Sequence, residues 1–423
     1  MTATVALLTL TATTLPRAAV GTSMVDALFD SPSHPAIAYA TTPPSDPVAE
    51  LGRRLQDGLA TLAYTDGQGY LPALLQSLHV PIASQLVVFS KTSLQAALIS
   101  PQNPRAIFFN DTVAVAWPRG GFIEIASRDA RQGTMFYVLS QQRAERPQFI
   151  RSGTCLGCHV GYATLNIPGT LARSVVTAPD GRTLPFLGNY TTDDRSPLDE
   201  RWAGWYVTGH SGAAPHLGNE RTIPAGADQL IAAHPSATTS LAPFFDVGAY
   251  PAASSDITAL LVFDHQMRMN NLLTGVGWRV RIAAADAPAS VADVAREAGS
   301  ELADALLFVE EAPLAGPVAG ASAFAAEFEA RGPFDSKGRS LRHFDLRTRL
   351  MRYPCSYAIY SDAFDQLPAA AKEAVYTRMW TILSGADAAP RYRRLSADDR
   401  RAIVEILRDT KRDLPAVFRE ATS

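Results

Sequence analysis

The spacing of apolar positions changes period along the chain, and each change marks an element. From residue 46, Val48, Leu51, Leu55, Leu59 and Leu62 recur at helical spacing and predict an amphipathic helix. Residues 71–78 add a short helix before Pro81 ends the helical stretch. From Gln85 the pattern becomes β-like: Leu86-Val87-Val88-Phe89, Ala106-Ile107-Phe108-Phe109, Val113-Ala114-Val115-Ala116-Trp117, Phe122-Ile123-Glu124-Ile125 and Met135-Phe136-Tyr137-Val138-Leu139. Turn signals such as Asn110-Asp111 and Gly120-Gly121 separate these runs, so a small antiparallel sheet is expected.

From residue 162 to about 256 the chain is rich in Pro, Gly, Thr and Asp and has few long periodic segments. Helical spacing returns over residues 255–281, where Ser255 can cap, Asp256 suits the first turn, and Ile257, Leu261, His265, Met269, Leu272 and Val276 share a face. An Ala-rich helix is expected over 291–309. Another lies between Pro368 and Gly385, and Ser396 with Asp399 resembles a capping box ahead of Ile403 to Leu407. The fold class is therefore α+β: a small antiparallel sheet in the N-terminal third, a long irregular region, and a mainly helical C-terminal half. Residues 21–150 and 151–423 form two regions that can make one continuous domain.

Composition narrows the function classes. A 423-residue chain that is 47% hydrophobic and 19% charged buries a substantial core. A net charge of -3 gives no general attraction to nucleic acid or anionic membrane. Lys occurs only at positions 91, 337, 372 and 411, which argues against a lysine-ringed docking face. Residues 1–20 have the apolar stretch and small residues of an export signal, without a basic residue ahead of them. No later stretch is apolar for long enough to span a membrane.

The chemistry concentrates in Cys155-Leu156-Gly157-Cys158-His159, the spacing of a c-type haem attachment site. Two thiols so spaced can bond to the two vinyl groups of one haem, and the adjoining imidazole is placed to ligate its iron. A chance match to these three fixed positions has a probability of roughly 10⁻³ in a chain of this length. Zinc is a weaker reading, because His210 and His216 lie too far downstream for compact zinc spacing. A redox dithiol is weaker too, because Pro168 cuts short any helix that starts here. Cys355, among aromatics, reads as a buried inert thiol.

Four further strings accompany the motif: Trp205-Tyr206-Val207-Thr208-Gly209, His216-Leu217-Gly218-Asn219, His265-Gln266 and Tyr353-Pro354-Cys355-Ser356-Tyr357. With them the chain, from about residue 80 onward, resembles large bacterial proteins that carry a single c-type haem in a cytochrome c domain. The resemblance implies one covalent haem c and electron transfer, and it names no substrate. The extended segment ahead of the motif departs from the small cytochrome c domain, where a helix precedes it.

A small cytochrome c usually draws its distal Met from a loop after the motif, but no Met occurs between His159 and Met267. Met267, Met269, Met351 and Met379 fall in predicted core settings. The distal candidates are therefore His216 first, then His265 and His210, with an open site as the alternative. Arg342 and Arg347, in a cluster with Asp345, Arg349 and Arg352, are candidates for pairing the haem propionates, and a solvated or salt-bridged face is the bland alternative. Asp193-Asp194 and Glu200-Arg201 can help shape a substrate pocket, and turn and surface charge is the favoured reading. Trp202, Trp205 and Tyr206 can stack on haem or simply fill core. The expectation is an exported, periplasmic electron-transfer cytochrome whose irregular region wraps the haem and which meets a redox partner protein. A haem-dependent enzyme or small-ligand binder with an open iron site is the alternative.

Overall fold

The computed structural model describes Leu28, residues 31–221 and residues 232–420. The segment 1–20, and the export reading with it, lies outside the described residues. The strands are β1 (Leu86–Val88), β2 (Arg105–Phe109), β3 (Val113–Pro118), β4 (Ile123–Asp129), β5 (Gly133–Leu139), β6 (Phe149–Arg151), β7 (Ala172–Val175), β8 (Asn189–Thr192) and β9 (Trp205–Tyr206). Seven of them form an antiparallel sheet in the order β6-β5-β4-β3-β2-β1-β9, while β7 and β8 make a separate ribbon. The five apolar runs become β1 to β5. β6 and β9 escape the sequence pattern because, unlike β1 within Leu86-Val87-Val88-Phe89, they do not sit in an apolar run of four residues.

Successive side chains of a strand point to opposite faces, so the sheet has two surfaces of different character. On one, Val113, Val115, Trp117, Ile123, Ile125 and Met135 share a single apolar cluster with Val48, Leu51, Leu55, Leu71, Leu74 and Leu75 of the helices Pro47–Gln56 and Leu71–Ser77. On the other, Leu86, Val88, Ile107 and Phe109 pack with the first turns of a 30-residue helix, Ile257–Asp286. The first cluster extends from Leu28 to Phe418, so one core serves both halves of the chain.

The helix expected over residues 46–62 stops at Gln56. Gly58 turns the chain at φ +72°, and Leu59 projects into solvent. The long central helix also differs from expectation. It is buried on every side from Ile257 to Met269, so the single apolar stripe understates its burial. Its cap is Asp256, whose Oδ1 accepts from the amides of Thr258 (2.8 Å) and Ala259 (3.4 Å). Asp256 Oδ2 accepts from the amides of Ala321 and Ser322 and from the Ser322 hydroxyl, each at 2.8 Å, which fastens that loop to the helix start. Ser255 instead accepts the Val87 amide of β1 at 3.0 Å. A carboxylate meets both the unpaired amides and the positive end of the helix, and the neighbouring hydroxyl is left to the sheet. The C-terminal helices follow the pattern closely: Val291–Leu306, Ala369–Leu383 ahead of Gly385, and Ala397–Thr410 with the Ser396–Asp399 capping box. Among the described residues no helix is long and apolar enough to cross a membrane.

Candidate functional site

β6 delivers the chain to the motif. Arg151, at its end, donates to the carbonyls of Tyr39 (2.6 Å) and Ala40 (3.2 Å), and the Tyr39 hydroxyl donates to the Thr134 carbonyl of β5 (2.6 Å). The Ser152 amide then closes on the Phe136 carbonyl at 2.9 Å, and the chain enters a short turn, Gly153–Cys155, followed by one helical turn, Leu156–His159. A single turn suffices because helical positions i, i+3 and i+4 share a face, which brings Cys155, Cys158 and His159 to one side of the turn. Cys155 is half-buried, and burial pushes its thiol up; Cys158 is exposed.

The loop after the motif returns to hold its histidine. Leu165 and Asn166 adopt left-handed backbone (φ +57° and +58°), which reverses the chain so that Gly169 meets His159 twice. The Gly169 amide donates to the His159 carbonyl (3.0 Å), and the Gly169 carbonyl lies 2.9 Å from His159 Nδ1. A carbonyl can only accept, so Nδ1 carries the hydrogen and Nε2 keeps its lone pair. This is the tautomer and orientation that a metal-bound imidazole adopts, with its other nitrogen fixed by the backbone. Burial pushes the imidazole below its ordinary pKa, which favours the neutral ring, and the Gly169 carbonyl pulls the other way.

Three contacts brace the loop. The Thr134 amide donates to the Pro168 carbonyl (3.2 Å); the Asn271 side chain both donates to the Thr170 carbonyl (2.8 Å) and accepts from its amide (3.1 Å); and the His159 ring lies 4.7 Å from that of Phe136. Only glycine fits at 169, because a Cβ there would come within 2.3 Å of Asn271 Oδ1. Neither Gly169 nor Asn271 is marked by a motif in the sequence. The signal was the Pro-Gly pair at 168–169, which reads as a turn and nothing more.

The other sequence candidates lie elsewhere. His265 is fully buried with both nitrogens engaged, Nδ1 with Asp194 Oδ2 at 2.9 Å and Nε2 with Ser356 Oγ at 2.7 Å. Arg268 donates to the same carboxylate at 3.2 Å. Against the cost of burial, Arg268 and His265 hold Asp194 well below the usual carboxylate range. Ser356, His265 and Asp194 are connected like a hydrolase triad, but they are 0%, 0% and 3% exposed, so no substrate reaches them and the network is structural. Asp194 is thus a buried anchor and not the surface turn residue expected. A distal role for His265 is also at odds with this geometry, because neither nitrogen has a lone pair to give.

His216 and His210 sit beyond β9. His216 pairs with His234 as an isolated bridge, its Nδ1 accepts the Gly218 amide at 3.0 Å, and burial lowers its pKa to about 4. His210 is exposed and bridges Ala319. β9 lies five strand spacings from the β5 strand that carries Phe136, a separation on the order of 20 Å, so neither histidine meets His159. Trp202 donates to Asp264 (3.2 Å), Trp205 to the Arg173 carbonyl (2.8 Å) and Tyr206 to the Pro101 carbonyl (2.9 Å), all as core residues of that same end.

The candidate propionate partners are also used elsewhere. Arg342 pairs with Asp111, donates to the Gly332 carbonyl (2.9 Å) and lies 4.4 Å from the centre of the Tyr357 ring. Arg347 is exposed, in the turn around Asp345, and Arg349 pairs with Asp399 at 2.7 Å. This is the salt-bridged alternative, and no hydrogen bond, ion pair or ring contact of Arg342 reaches the motif. Cys355 is sealed, and burial pushes its thiol up, as an inert core thiol requires.

Among the described residues no group of three or more His, Cys, Asp or Glu gathers to hold a metal ion. A porphyrin-held iron asks less of the protein: two thiols and one imidazole with a free nitrogen, which is what residues 155–159 present. No protein-family model matches the chain, and the searches of curated proteins and of solved structures return no match.

Proposed function

We propose that the chain is a c-type cytochrome that carries one covalent haem and transfers electrons to or from a redox partner protein outside the cytoplasm. The observation that carries this reading is the His159 clamp, set directly after two thiols at attachment spacing: Gly169 fixes Nδ1 and leaves Nε2 free. When bound, the haem would supply one-electron redox chemistry. The chain's own part is to offer the Cys155 and Cys158 sulfurs as attachment points and to orient the imidazole with its proton held on the far nitrogen. Expression with haem-attachment machinery should add the mass of one haem and remove two titratable thiols. An unmodified mass with free thiols at 155 and 158 overturns the reading.

The second reading, a ligand-binding or catalytic haem protein, is favoured by the engagement of both His265 nitrogens and by the placement of His216 and His210 away from His159. Met135 does not fill the gap, since its side chain belongs to the opposite face of the sheet. Rapid carbon monoxide binding to the reduced protein would select this reading, and absence of binding would select a six-coordinate carrier.

A further inference from the structure

The two faces of β3 and β4 are covered unequally, and the less covered one meets the motif. In both strands buried and partly buried residues alternate: Val113, Val115, Ile123 and Ile125 are at most 2% exposed, whereas Ala114, Ala116, Glu124 and Ala126 are only partly covered, Ala114 and Ala116 at the margin of the second apolar cluster and Glu124 with 16% of its side chain exposed. Inner strands of a sheet packed on both sides should be sealed on both. The register makes the open positions one patch, because Ala114 pairs with Ala126, Ala116 with Glu124, and Glu124 with half-exposed Val138 on β5.

This patch adjoins the attachment residues. Ala126 pairs with Phe136, whose ring meets His159 at 4.7 Å. Around the motif the space is open, since a Cβ added at Gly153, Gly157 or Gly161 would meet nothing within 4 Å. At the far edge Arg105 donates to Glu124 at 3.1 Å, while its Nε is buried without an acceptor. Three of the four patch positions are alanines; the fourth, Glu124, has its charge met by Arg105 and accepts from Ser93 (2.8 Å) and Gln95 (3.3 Å), and the edge still offers the unmet Arg105 Nε donor. Those features suit a flat apolar ring that carries carboxylates.

We infer that this alanine floor, Ala114, Ala116 and Ala126, is the seat against which one face of the haem rests. The inference relies on the cytochrome reading and adds the position of the ring to it. Ala126→Leu and Ala116→Leu, made separately in the full chain, fill the seat while growing into half-open space. Each is expected to cut the haem-loaded fraction by about five-fold or more, whereas Ala370→Leu, on a half-buried face of the helix Ala369–Leu383, leaves loading unchanged. Hydrogen exchange on the unsubstituted chain gives a measurement free of folding defects: loading should slow the amides of β3 and β4. Normal loading of both leucine variants, or unchanged exchange in β3 and β4, overturns the seat and leaves the cytochrome reading intact. Failure of the unsubstituted chain to take up haem overturns the cytochrome reading itself, and the seat with it.

Discussion

His159 is partly buried and His265 fully buried, and both have Nδ1 fixed by an oxygen acceptor, yet they do opposite work. His265 spends its second nitrogen on Ser356, so every polar atom of the ring is satisfied inside the core. His159 spends one nitrogen on Gly169 and holds the other in reserve. Leaving a polar group buried without a partner costs on the order of 1–3 kcal/mol, a cost that His216 bears at its sealed Nε2; His159 avoids it because its ring is only partly buried, so its free nitrogen stays open to a ligand. The difference from His265 is in the second nitrogen and in access, since His265 is sealed and His159 is not.

The largest test of this contrast is His265→Ala. It leaves the Asp194 carboxylate and the Ser356 hydroxyl buried without their shared partner, and it opens a cavity on the fully covered part of the central helix. Loss of about 3–5 kcal/mol is expected in urea unfolding, with haem attachment at Cys155 and Cys158 unaffected whenever the chain is folded. A variant of near-native stability would mean that the network does not hold the helix.

Glu311, whose pKa the Asp194 charge helps to raise, sharpens the picture of this buried side. Burial is the main cause of that shift, to about 7, although its carboxylate accepts the Leu350 amide at 2.8 Å. The folded state therefore binds the proton more tightly than the unfolded one. The resulting stabilisation is complete below the unfolded value of about 4.5 and disappears as pH rises through 7. Glu311→Gln removes the titration, so its stability relative to the unsubstituted chain should improve by roughly 2–4 kcal/mol between pH 4.5 and 8. Parallel stability curves across that range would show that Glu311 does not titrate there.

On the other side of the comparison, Gly169→Ala pushes a Cβ to 2.3 Å from Asn271 Oδ1 and so displaces the carbonyl that orients His159. A loss of about 1–2 kcal/mol is expected. The more telling readout is the optical spectrum of the loaded protein, which should change because the imidazole is no longer held. Asn271→Ala removes the obstructing group, so the double variant should recover part of the spectrum.

How much of this was legible in the sequence depends on the range of the interaction. Motif spacing and period-two runs are local, so residues 155–159 and strands β1 to β5 could be read directly. The large-small alternation of Val113-Ala114-Val115-Ala116 was also visible, but only the strand register shows that Ala114 and Ala126 sit side by side. The distal histidines could not be judged from the sequence, because a His in a Gly-rich loop and a His on an apolar face carry no sign of whether both nitrogens are already used. His265 needed Asp194 and Ser356, 71 and 91 residues away, to settle that.

The smallest expected effect on stability, and the sharpest test of the contrast, is His159→Ala. The loop 160–169 keeps the Gly169 amide bond to the residue-159 carbonyl, because that bond is made by backbone, and Thr164 keeps its own bond to the same oxygen at 3.2 Å. What disappears is a half-exposed ring with a single hydrogen bond and its contact with Phe136, so the apo-protein should lose no more than about 1 kcal/mol, a small fraction of the His265→Ala effect. The loaded protein should keep its haem through the two thiols and yet show a changed ligand field in its optical and EPR spectra, reversed in part by added imidazole. If His159→Ala destabilises the apo-chain as severely as His265→Ala does, His159 is architecture too, and the free nitrogen beside Phe136 has no bearing on ligation.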